Sequence, residues 1–342
     1  MSRWPAPEAA GAPGSGLAIL VNANAKRGGR RVAAQIAREL PGASVRLTKS
    51  THEIDAWLRA LPSPPRGVLA AGGDGTAIAL VNALARVTPE SLPLPTMGIL
   101  PLGTGNGWAH ALGAPKLHRC LELLARERGR LPTHRSGLVD VDGTLCHFAG
   151  AGWDAMILDD YRRQLQAMGG PGRGFSKSMY GYVSAALLRT TPKVLLVGNP
   201  RVLIENLGDE MFELGRDGRL VRLPVRCGAV IYDGTAGIAS VGTCPEFGYR
   251  FKAFPFAERL PGFISVRVFA RSAMGALASI PRLWRGGHPI PGMHDWLATH
   301  VRMTFSRPVP FQVGGDAWGF RRTIEYRAAA RAVGMVDWRR MC

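Results

Sequence analysis

The first third of the chain alternates four times between apolar runs of strand length and helix-like segments. The four runs are GLAILVN (16–22), ASVRLT (43–48), GVLAA (67–71) and TMGILP (96–101). Between them, apolar residues recur at helical spacing, as Val32, Ile36 and Leu40 do. The third run is uncharged, as expected of a strand that helices cover on both faces. This alternation predicts an α/β domain built on an open, mostly parallel sheet.

After about Arg135 the pattern changes to short β-like runs, which turn signals such as Asp142–Gly143 and Asp217–Gly218 separate. These runs predict an antiparallel β domain. One helix is predicted within it, at SKSMYGYVSAALLRT (176–190), followed by a strand at KVLLVG (193–198). A chain of 342 residues is long enough for two domains. Residues 1–15 lack an apolar core and predict a loose tail.

The chain is strongly basic, with 43 lysines and arginines against 25 acids and a net charge of +18. This balance favours anionic partners such as nucleotide phosphates or an acidic membrane surface, although a solvated basic surface is an equal alternative. Local basic clusters occur at residues 26–31, 125–130 and 320–322. The eight tryptophans do not interleave with these clusters, so we do not expect nucleic-acid binding.

The five cysteines are odd in number and include no Cys-x-x-Cys pair. This pattern predicts neither a disulfide framework nor a zinc site, and it favours reduced thiols and a cytoplasmic protein. The sequence contains no run of roughly 18 apolar residues that would span a bilayer. We therefore expect any association with a membrane to be peripheral.

The third predicted strand ends in GGDGT (72–76). Gly72, Gly73 and Gly75 leave room for the backbone to turn and to approach phosphate, and Thr76 is a candidate N-cap of the next helix. A carboxylate here opposes phosphate binding unless it meets a cation or a hydroxyl. Asp74 is therefore a candidate for holding Mg²⁺ or for accepting a proton from a hydroxyl nucleophile, with a plain Asp-Gly turn as the alternative.

The fourth predicted strand ends in a second polar glycine loop, PLGTGN (101–106). Gly103 and Gly105 flank Thr104, and Asn106 is a candidate N-cap. The carboxyl ends of parallel strands share one edge of the sheet, so the two loops are expected to line one crevice. Neither loop has the glycine–lysine phosphate-loop pattern or the dinucleotide pattern.

The pair of GGDGT and PLGTGN resembles the catalytic domain of the diacylglycerol kinase family, which includes sphingosine kinases, ceramide kinases and bacterial soluble lipid kinases. LVNANAKRGGR (20–30) is similar to the opening strand and loop of that family, with Asn22 matching. Thr48 fits its nucleotide-contacting threonine. GAGWDAMI (150–157) resembles its Gly-Phe-Asp-Ala segment, which makes Asp154 a candidate residue of the substrate cleft.

The resemblance implies an N-terminal α/β domain that binds ATP (16–135), a C-terminal β-sandwich that holds lipid (136–325) and a final segment (326–342) that returns to the first domain. It implies transfer of the γ-phosphate of ATP, with Mg²⁺, to the hydroxyl of diacylglycerol or a similar lipid at an anionic membrane surface. The implied ATP-binding residues are Asn22, Thr48, Gly72, Gly73, Gly75, Thr76, Gly103, Thr104, Gly105 and Asn106. An assembly of two copies is left open.

Two departures from the family pattern concern the chemistry. Where the family has Asp-Gly-Glu, this chain has Gly314, Gly315 and Asp316, so we expect Asp316 to share the catalytic work with Asp74. Where the family has an Asp-Asp-Gly-Leu turn for a structural Mg²⁺, RLPGFISV (259–266) lacks the acids. Mg²⁺ is therefore expected only with ATP, through Asp74 or Asp316. A weakened kinase-like protein that binds nucleotide or lipid is one alternative, and an NAD kinase-like enzyme, which shares GGDGT, is a less favoured one.

Overall fold

The computed structural model describes residues 14–24, 28–103, 105–167, 198–248 and 250–341. The chain divides into two compact units, Met1–Ser136 with Arg331–Cys342, and Gly137–Ala330. The helix predicted at residues 176–190 and nearly all of the strand predicted at 193–198 lie outside the described residues, as does Thr104.

The first unit is an α/β layer. Its elements are β1 (Leu17–Asn22), α1 (Gly29–Glu39), β2 (Ser44–Thr48), α2 (His52–Arg59), β3 (Gly67–Gly72), α3 (Asp74–Val87), β4 (Met97–Pro101), α4 (Gly107–Ala111), α5 (Leu117–Arg126), β5 (Thr133–Ser136) and β18 (Val333–Val336). The strand order is β2-β1-β3-β4-β18-β5. All pairs are parallel except β18 with β5. The predicted open, mostly parallel sheet is confirmed.

The centre of this sheet is buried on both faces because helices cover it. Every residue of β3 is buried, and no side chain of β1 from Leu17 to Val21 is more than 2% exposed. Strands buried in this way read as continuous apolar runs, which is why β1 and β3 were recognisable from the sequence. Helix α5 was not predicted, although Leu117, Leu121 and Leu124 recur at helical spacing and are buried.

The second unit is antiparallel. Its elements are β6 (Val139–Val141), β7 (Thr144–Cys146), β8 (Phe148–Gly152), α6 (Trp153–Ala167), β9 (Arg201–Asn206), β10 (Met211–Leu214), β11 (Leu220–Arg222), β12 (Ala229–Thr235), β13 (Ile238–Gly242), β14 (Ile264–Phe269), α7 (Ala273–Trp284), β15 (Met293–Ala298), β16 (His300–Val313) and β17 (Asp316–Ala328). Twelve strands form one hydrogen-bonded sheet with the central path β14-β13-β8-β16-β17. The predicted antiparallel β domain is confirmed.

Strand β16 joins the pair of β9 and β12 to the main path of this sheet, because its two halves have different neighbours. Its first half pairs with β9 from Val301 to Phe305, and its last residues pair with β8 from Phe311 to Val313. Register shifts between these stretches allow a single strand to serve two different neighbours. This arrangement brings Gln312 beside β8, where the segment around Asp154 begins.

The chain leaves the second sheet after β17 and re-enters the first sheet as β18. Tyr326, from which we expected the return, still lies in β17 and is fully buried there. The returning segment Arg331–Cys342 places β18 between β4 and β5. Trp338 follows in a short 3₁₀ turn (Trp338–Arg340) and is also fully buried.

Candidate active site

The predicted polar residues of the first unit gather at one edge of its sheet. Asn22 pairs in register with Thr48, and Gly72 pairs with Pro101, so four neighbouring strands end side by side. In open α/β sheets this carboxyl edge is where ligands bind. The geometry therefore brings the two glycine loops together, as the sequence predicted.

The two loops touch through their backbones. A Cβ atom on Gly103 would lie 2.5 Å from the Cα atom of Gly73, and one on Gly73 would lie 3.1 Å from the Cα atom of Gly103. The N–H of Leu102 also donates to the carbonyl of Gly72 at 2.9 Å. A side chain at either glycine would push the loops apart, so this contact explains why the chain needs glycine on both sides.

Asp74 joins the two loops. It is the first residue of α3, and its two carboxylate oxygens accept the N–H groups of Gly107 at 3.0 Å and of Trp108 at 3.1 Å. These are the first residues of α4, where the helix leaves backbone donors unsatisfied and favours negative charge. Asp74 therefore caps α4 from another element, a role that sequence reasoning missed.

Asn106 precedes α4 but does not cap it with its side chain. Its carboxamide instead bonds to Gly103 twice, accepting from the N–H and donating to the carbonyl, each at 2.9 Å. Asn106 also adopts a left-handed backbone conformation, with φ 48°, which asparagine tolerates better than most residues. Asn106 therefore closes the second loop. The start of α4, which Asn106 was expected to cap, is capped by Asp74 instead.

Thr76 does not cap α3, because the helix begins two residues earlier at Asp74 with Gly73 as its N-cap. Its hydroxyl oxygen accepts a hydrogen bond from the carboxamide of Asn22 at 3.0 Å. The carboxamide oxygen of Asn22 in turn accepts the N–H of Asn24 at 2.8 Å. Asn22 and Thr76 thus link the end of β1 to the first turn of α3.

Thr48 is nearly buried, with 7% of its surface exposed. Its hydroxyl donates to the carbonyl of Ser50 at 2.6 Å and also lies 3.2 Å from a carboxylate oxygen of Glu53. These bonds hold the turn between β2 and α2. A contact between Thr48 and a nucleotide stays a prediction. Gly75 lies in the first turn of α3, and Gly105 lies just before α4.

Asp154 is the candidate residue of the second unit, and it is buried rather than open to solvent, with 9% exposure. One carboxylate oxygen accepts hydrogen bonds from Gln312 at 2.8 Å and from Ser240 at 3.0 Å. Burial raises the pKa of this carboxyl, and the two hydrogen bonds offset the rise in part. The residue ties together α6, β13 and β16.

Tyr326 lies in the same interior region. Burial, together with the negative charge of Asp154, raises the pKa of its phenol well above the usual range. Within the described residues, neither its hydroxyl nor the second oxygen of Asp154 has a hydrogen-bond partner. A charge on either group is unfavourable in such an interior, because a buried charge without full hydrogen bonding is costly.

The GGD stretch forms the tip of the β16–β17 hairpin. Val313 pairs with Asp316, so Gly314 and Gly315 make a two-residue turn with φ values of 54° and 84°. Positive φ at both positions is the pattern of a type I′ turn. Asp316 follows as the first residue of β17 and is exposed.

In the described parts of the chain, no group of three or more His, Cys, Asp or Glu side chains is placed to hold a metal ion. None of the helices in those parts is both long enough and apolar enough to cross a membrane.

One family model matches the part of the chain that contains the two loops. Residues 16–131 match the family model of the diacylglycerol kinase catalytic domain, and both glycine loops lie inside that segment. The resemblance inferred from the loops is thereby confirmed.

Curated relatives match over short segments. The eye-specific diacylglycerol kinase of Drosophila melanogaster is 49% identical over 51 residues, which are 15% of this chain and 4% of that protein. A diacylglycerol kinase of Staphylococcus aureus (strain bovine RF122 / ET3-1) is 34% identical over 93 residues, which are 24% of this chain and 28% of that protein. The match thus spans less than a third of either relative.

Solved structures resemble the whole fold. A diacylglycerol kinase from Bacillus anthracis str. Sterne superposes with a TM-score of 0.59 at 15% identity, covering 94% of this chain and 96% of that one. Another structure from the same organism, named provisionally as a diacylglycerol kinase, gives a TM-score of 0.65 at 17% identity, covering 97% and 98%. At such identities the likeness shows the fold alone, and it extends over both units.

Proposed function

We propose that the protein is an ATP-dependent lipid kinase that transfers a phosphoryl group to the hydroxyl of diacylglycerol or a similar lipid. The observation that carries the proposal is the backbone contact of two glycine loops at the carboxyl edge of the first sheet, within the segment that matches the diacylglycerol kinase catalytic domain. The antiparallel second unit and the fold likeness to diacylglycerol kinases support it.

The loops fit the phosphates of a nucleotide. Gly73 and Gly103 present backbone without side chains, and the first turn of α3 begins at the same place. Backbone N–H groups and the positive end of a helix favour phosphate. We assign the phosphates of ATP to these two loops, and Asn22 and Thr76 to keeping the first turn of α3 in place.

Mg²⁺ would accompany ATP and neutralise charge on the phosphates. Asp74 fits a role in holding it, because carboxylate oxygens are ligands that Mg²⁺ prefers and Asp74 begins α3 beside both glycine loops. Asp316 is the one carboxylate that this chain retains where the family has Asp-Gly-Glu. Asp74 and Asp316 are the two candidates for accepting the hydroxyl proton.

The proposal is tested by following radiolabel from [γ-³²P]ATP into lipid. The purified protein is incubated with Mg²⁺ and micelles that contain diacylglycerol, a sphingoid base or a glycerophospholipid, and labelled lipid is separated by chromatography. We expect label in one of these acceptors. Absence of labelled product with every acceptor would defeat the proposal.

A weakened kinase-like protein that binds nucleotide or lipid is the second candidate, and the GGD turn favours it. Gly314 has a φ of 54°, a conformation that aspartate adopts at small cost, and Gly315 would remain glycine. The double variant Gly314→Asp, Asp316→Glu restores Asp-Gly-Glu. If the missing base limits the wild-type protein, turnover should rise by about 10²–10⁴. ATP binding with no turnover in either protein would favour the binding function alone.

A further inference from the structure

Helix α4 follows the second glycine loop, and it ends in a Schellman motif. The N–H of Gly113 donates to the carbonyl of His110 at 2.9 Å. The N–H of Ala114 donates to the carbonyl of Ala109, also at 2.9 Å. Gly113 has a φ of 73°, the left-handed conformation that this motif requires. These two hydrogen bonds do not use the carbonyl of Leu112, which accepts a hydrogen bond from another part of the first unit.

That donor lies in the short 3₁₀ turn that follows β18. The N–H of Trp338 donates to the carbonyl of Leu112 at 3.1 Å. The side chain of Arg339 lies across Gly113, where a Cβ atom would overlap its Cγ atom and lie 3.1 Å from its Cδ atom. Asp337 caps the turn by accepting the backbone N–H of Arg339 at 3.2 Å and its Nε–H at 2.8 Å. We call this turn, with its cap Asp337, the Trp338 turn.

The same segment of the chain also contacts the strand on the other side of the loop. Strand β18 lies beside β4, where Met335 pairs in register with Met97. Val336 packs on β4 as well, since a Cβ atom on Gly98 would lie 3.1 Å from its side chain. Strand β4 leads into the second glycine loop and α4 leads out of it. The segment from β18 to the Trp338 turn therefore contacts both elements that flank the loop.

Helix α4 connects the Trp338 turn to the loop. Asp74 holds its start, and the Trp338 turn holds its end. The helix has five residues, so at a rise of 1.5 Å per residue its two ends lie only about 7 Å apart. Because backbone hydrogen bonds stiffen a helix of this length, a displacement of its end also displaces its start and the loop before it.

We propose that the Trp338 turn positions the second glycine loop and thereby sets the affinity of the protein for ATP. Loop backbone that binds phosphate has to be placed closely, because a misplacement of about 1 Å in an active site can cost about 10²-fold in rate. Arg339 and Asp337 act through α4 and are positioning residues. The effect on ATP rests on the proposed kinase function, whereas the hold on the loop does not.

The first test is amide hydrogen exchange without ATP, followed by nuclear magnetic resonance at the N–H groups of Gly107 and Trp108, which donate to Asp74. In Gly113→Ala the new methyl group displaces the Arg339 side chain, so exchange at these two amides should become roughly 2- to 30-fold faster. The double variant Gly113→Ala, Arg339→Ala removes the overlapping atoms and leaves the Arg339 nitrogen at 3.5 Å, an ordinary contact. Exchange in the double variant should therefore be slower than in Gly113→Ala.

Gly16→Ala is the matched control for backbone strain. Gly16 has a φ of 71° and precedes β1, at the edge of the sheet away from the loops. Its methyl group would have only ordinary contacts, the nearest at 3.4 Å from Arg66, so exchange at Gly107 and Trp108 should stay at the wild-type rate. The proposal is overturned by equally fast exchange in Gly16→Ala and Gly113→Ala, by wild-type exchange in Gly113→Ala, or by no recovery in the double variant.

Titration calorimetry with MgATP separates the hold on the loop from the proposed kinase function. Gly113→Ala should raise the Kd for ATP by roughly 2- to 30-fold, and Gly16→Ala should leave it unchanged. If exchange responds as expected but the wild type binds no ATP, the kinase function fails while the hold on the loop stands. If the wild type binds ATP and phosphorylates lipid but Gly113→Ala changes neither exchange nor Kd, the positioning role fails and the kinase function stands. Faster exchange with an unchanged Kd would refute the effect on affinity.

Discussion

At the scale of single residues, Asp74 has a structural duty that its position in the sequence did not predict. Its carboxylate accepts N–H groups that lie 33 and 34 residues further along the chain. Because these hydrogen bonds to the start of α4 fix the Asp74 carboxylate, they also hold it beside the glycine loops. The residue therefore links the stability of the second loop to the chemistry proposed for the first.

Asp74→Asn should destabilise the protein as well as reduce phosphoryl transfer. The amide retains one acceptor but turns an NH₂ group toward a backbone N–H, so we expect a loss of about 1–3 kcal/mol in the free energy of unfolding. Urea denaturation measures it. The control is Asp55→Asn, which breaks a surface pair with Arg86 and should cost about 0–1 kcal/mol. Unchanged stability in Asp74→Asn would contradict the capping role.

The raised pKa of Asp154 predicts that the stability of the folded protein depends on pH. Its pKa is raised in the folded protein above the usual value of 3.8, mainly by burial. As pH rises from that value through the raised pKa, the unfolded chain has already lost the proton that the folded protein still holds. The contribution of Asp154 to stability therefore decreases as pH rises across this window.

Asp154→Asn removes that dependence, because the amide does not titrate. Relative to the wild type, the free energy of unfolding of the variant should rise with pH, by at most about 1.4 kcal/mol per pH unit, and level off above the folded pKa. Urea denaturation from about pH 4 to pH 8 measures the difference. Asp233→Asn is the control, and its pH dependence should have the opposite sign, because a hydrogen bond from Arg201 lowers the pKa of Asp233. A difference for Asp154→Asn that does not change with pH would show that the carboxyl is not shifted.

At the scale of elements, the site depends on the close approach of the turns that follow β3 and β4. The loops meet because Gly73 and Gly103 have no side chains, because Leu102 bonds to Gly72, and because Asp74 holds the start of α4. Each contact joins two βα units that are adjacent in the sheet. The loops are therefore one structural feature rather than two.

Gly103→Ala tests this feature. The new methyl group would lie 2.5 Å from the Cα atom of Gly73, and backbone cannot yield as a side chain does, so we expect a loss of about 1–3 kcal/mol in stability and weaker ATP binding. Calorimetry measures both. Gly334→Ala in β18 is the matched control, because its methyl group would have only ordinary contacts from 3.7 Å. ATP binding unchanged in Gly103→Ala would refute the assignment of the loops.

At the scale of the whole molecule, the first sheet is completed by the far end of the chain. Strand β18 lies between β4 and β5, and Arg331 donates to the carbonyls of Ala85, Thr88 and Pro89 at the end of α3. Because β18 follows the second unit along the chain, the sheet of the first unit can be completed only after the second unit has been synthesised.

Ending the chain after Ala330 should prevent the first unit from folding. The truncation removes β18 and the fully buried Trp338, and deleting several large core side chains costs more than the roughly 5–15 kcal/mol that stabilises a domain. Circular dichroism and limited proteolysis measure the loss. A chain ending after Met341 is the control and should fold normally. Cooperative melting of the first unit without β18 would contradict this reading of the topology.

Local patterns made much of the first unit predictable. The apolar runs of β1, β3 and β4 and the glycine loops could be read from the sequence because burial on both faces and the need for turns each leave a local signal. Helix α5 has such a signal too, in the spacing of its buried leucines.

The sequence by itself determined the class of both units and the edge at which the loops lie, because periodicity and glycine placement act over a few residues. Only the tertiary structure decided the partners of those residues: Asp74 with the start of α4, Asn22 with Thr76, and Asp154 with Ser240 and Gln312. These pairs lie 33 to 158 residues apart. Such contacts follow from how the strands are ordered and packed, and no local pattern of residue types encodes that order.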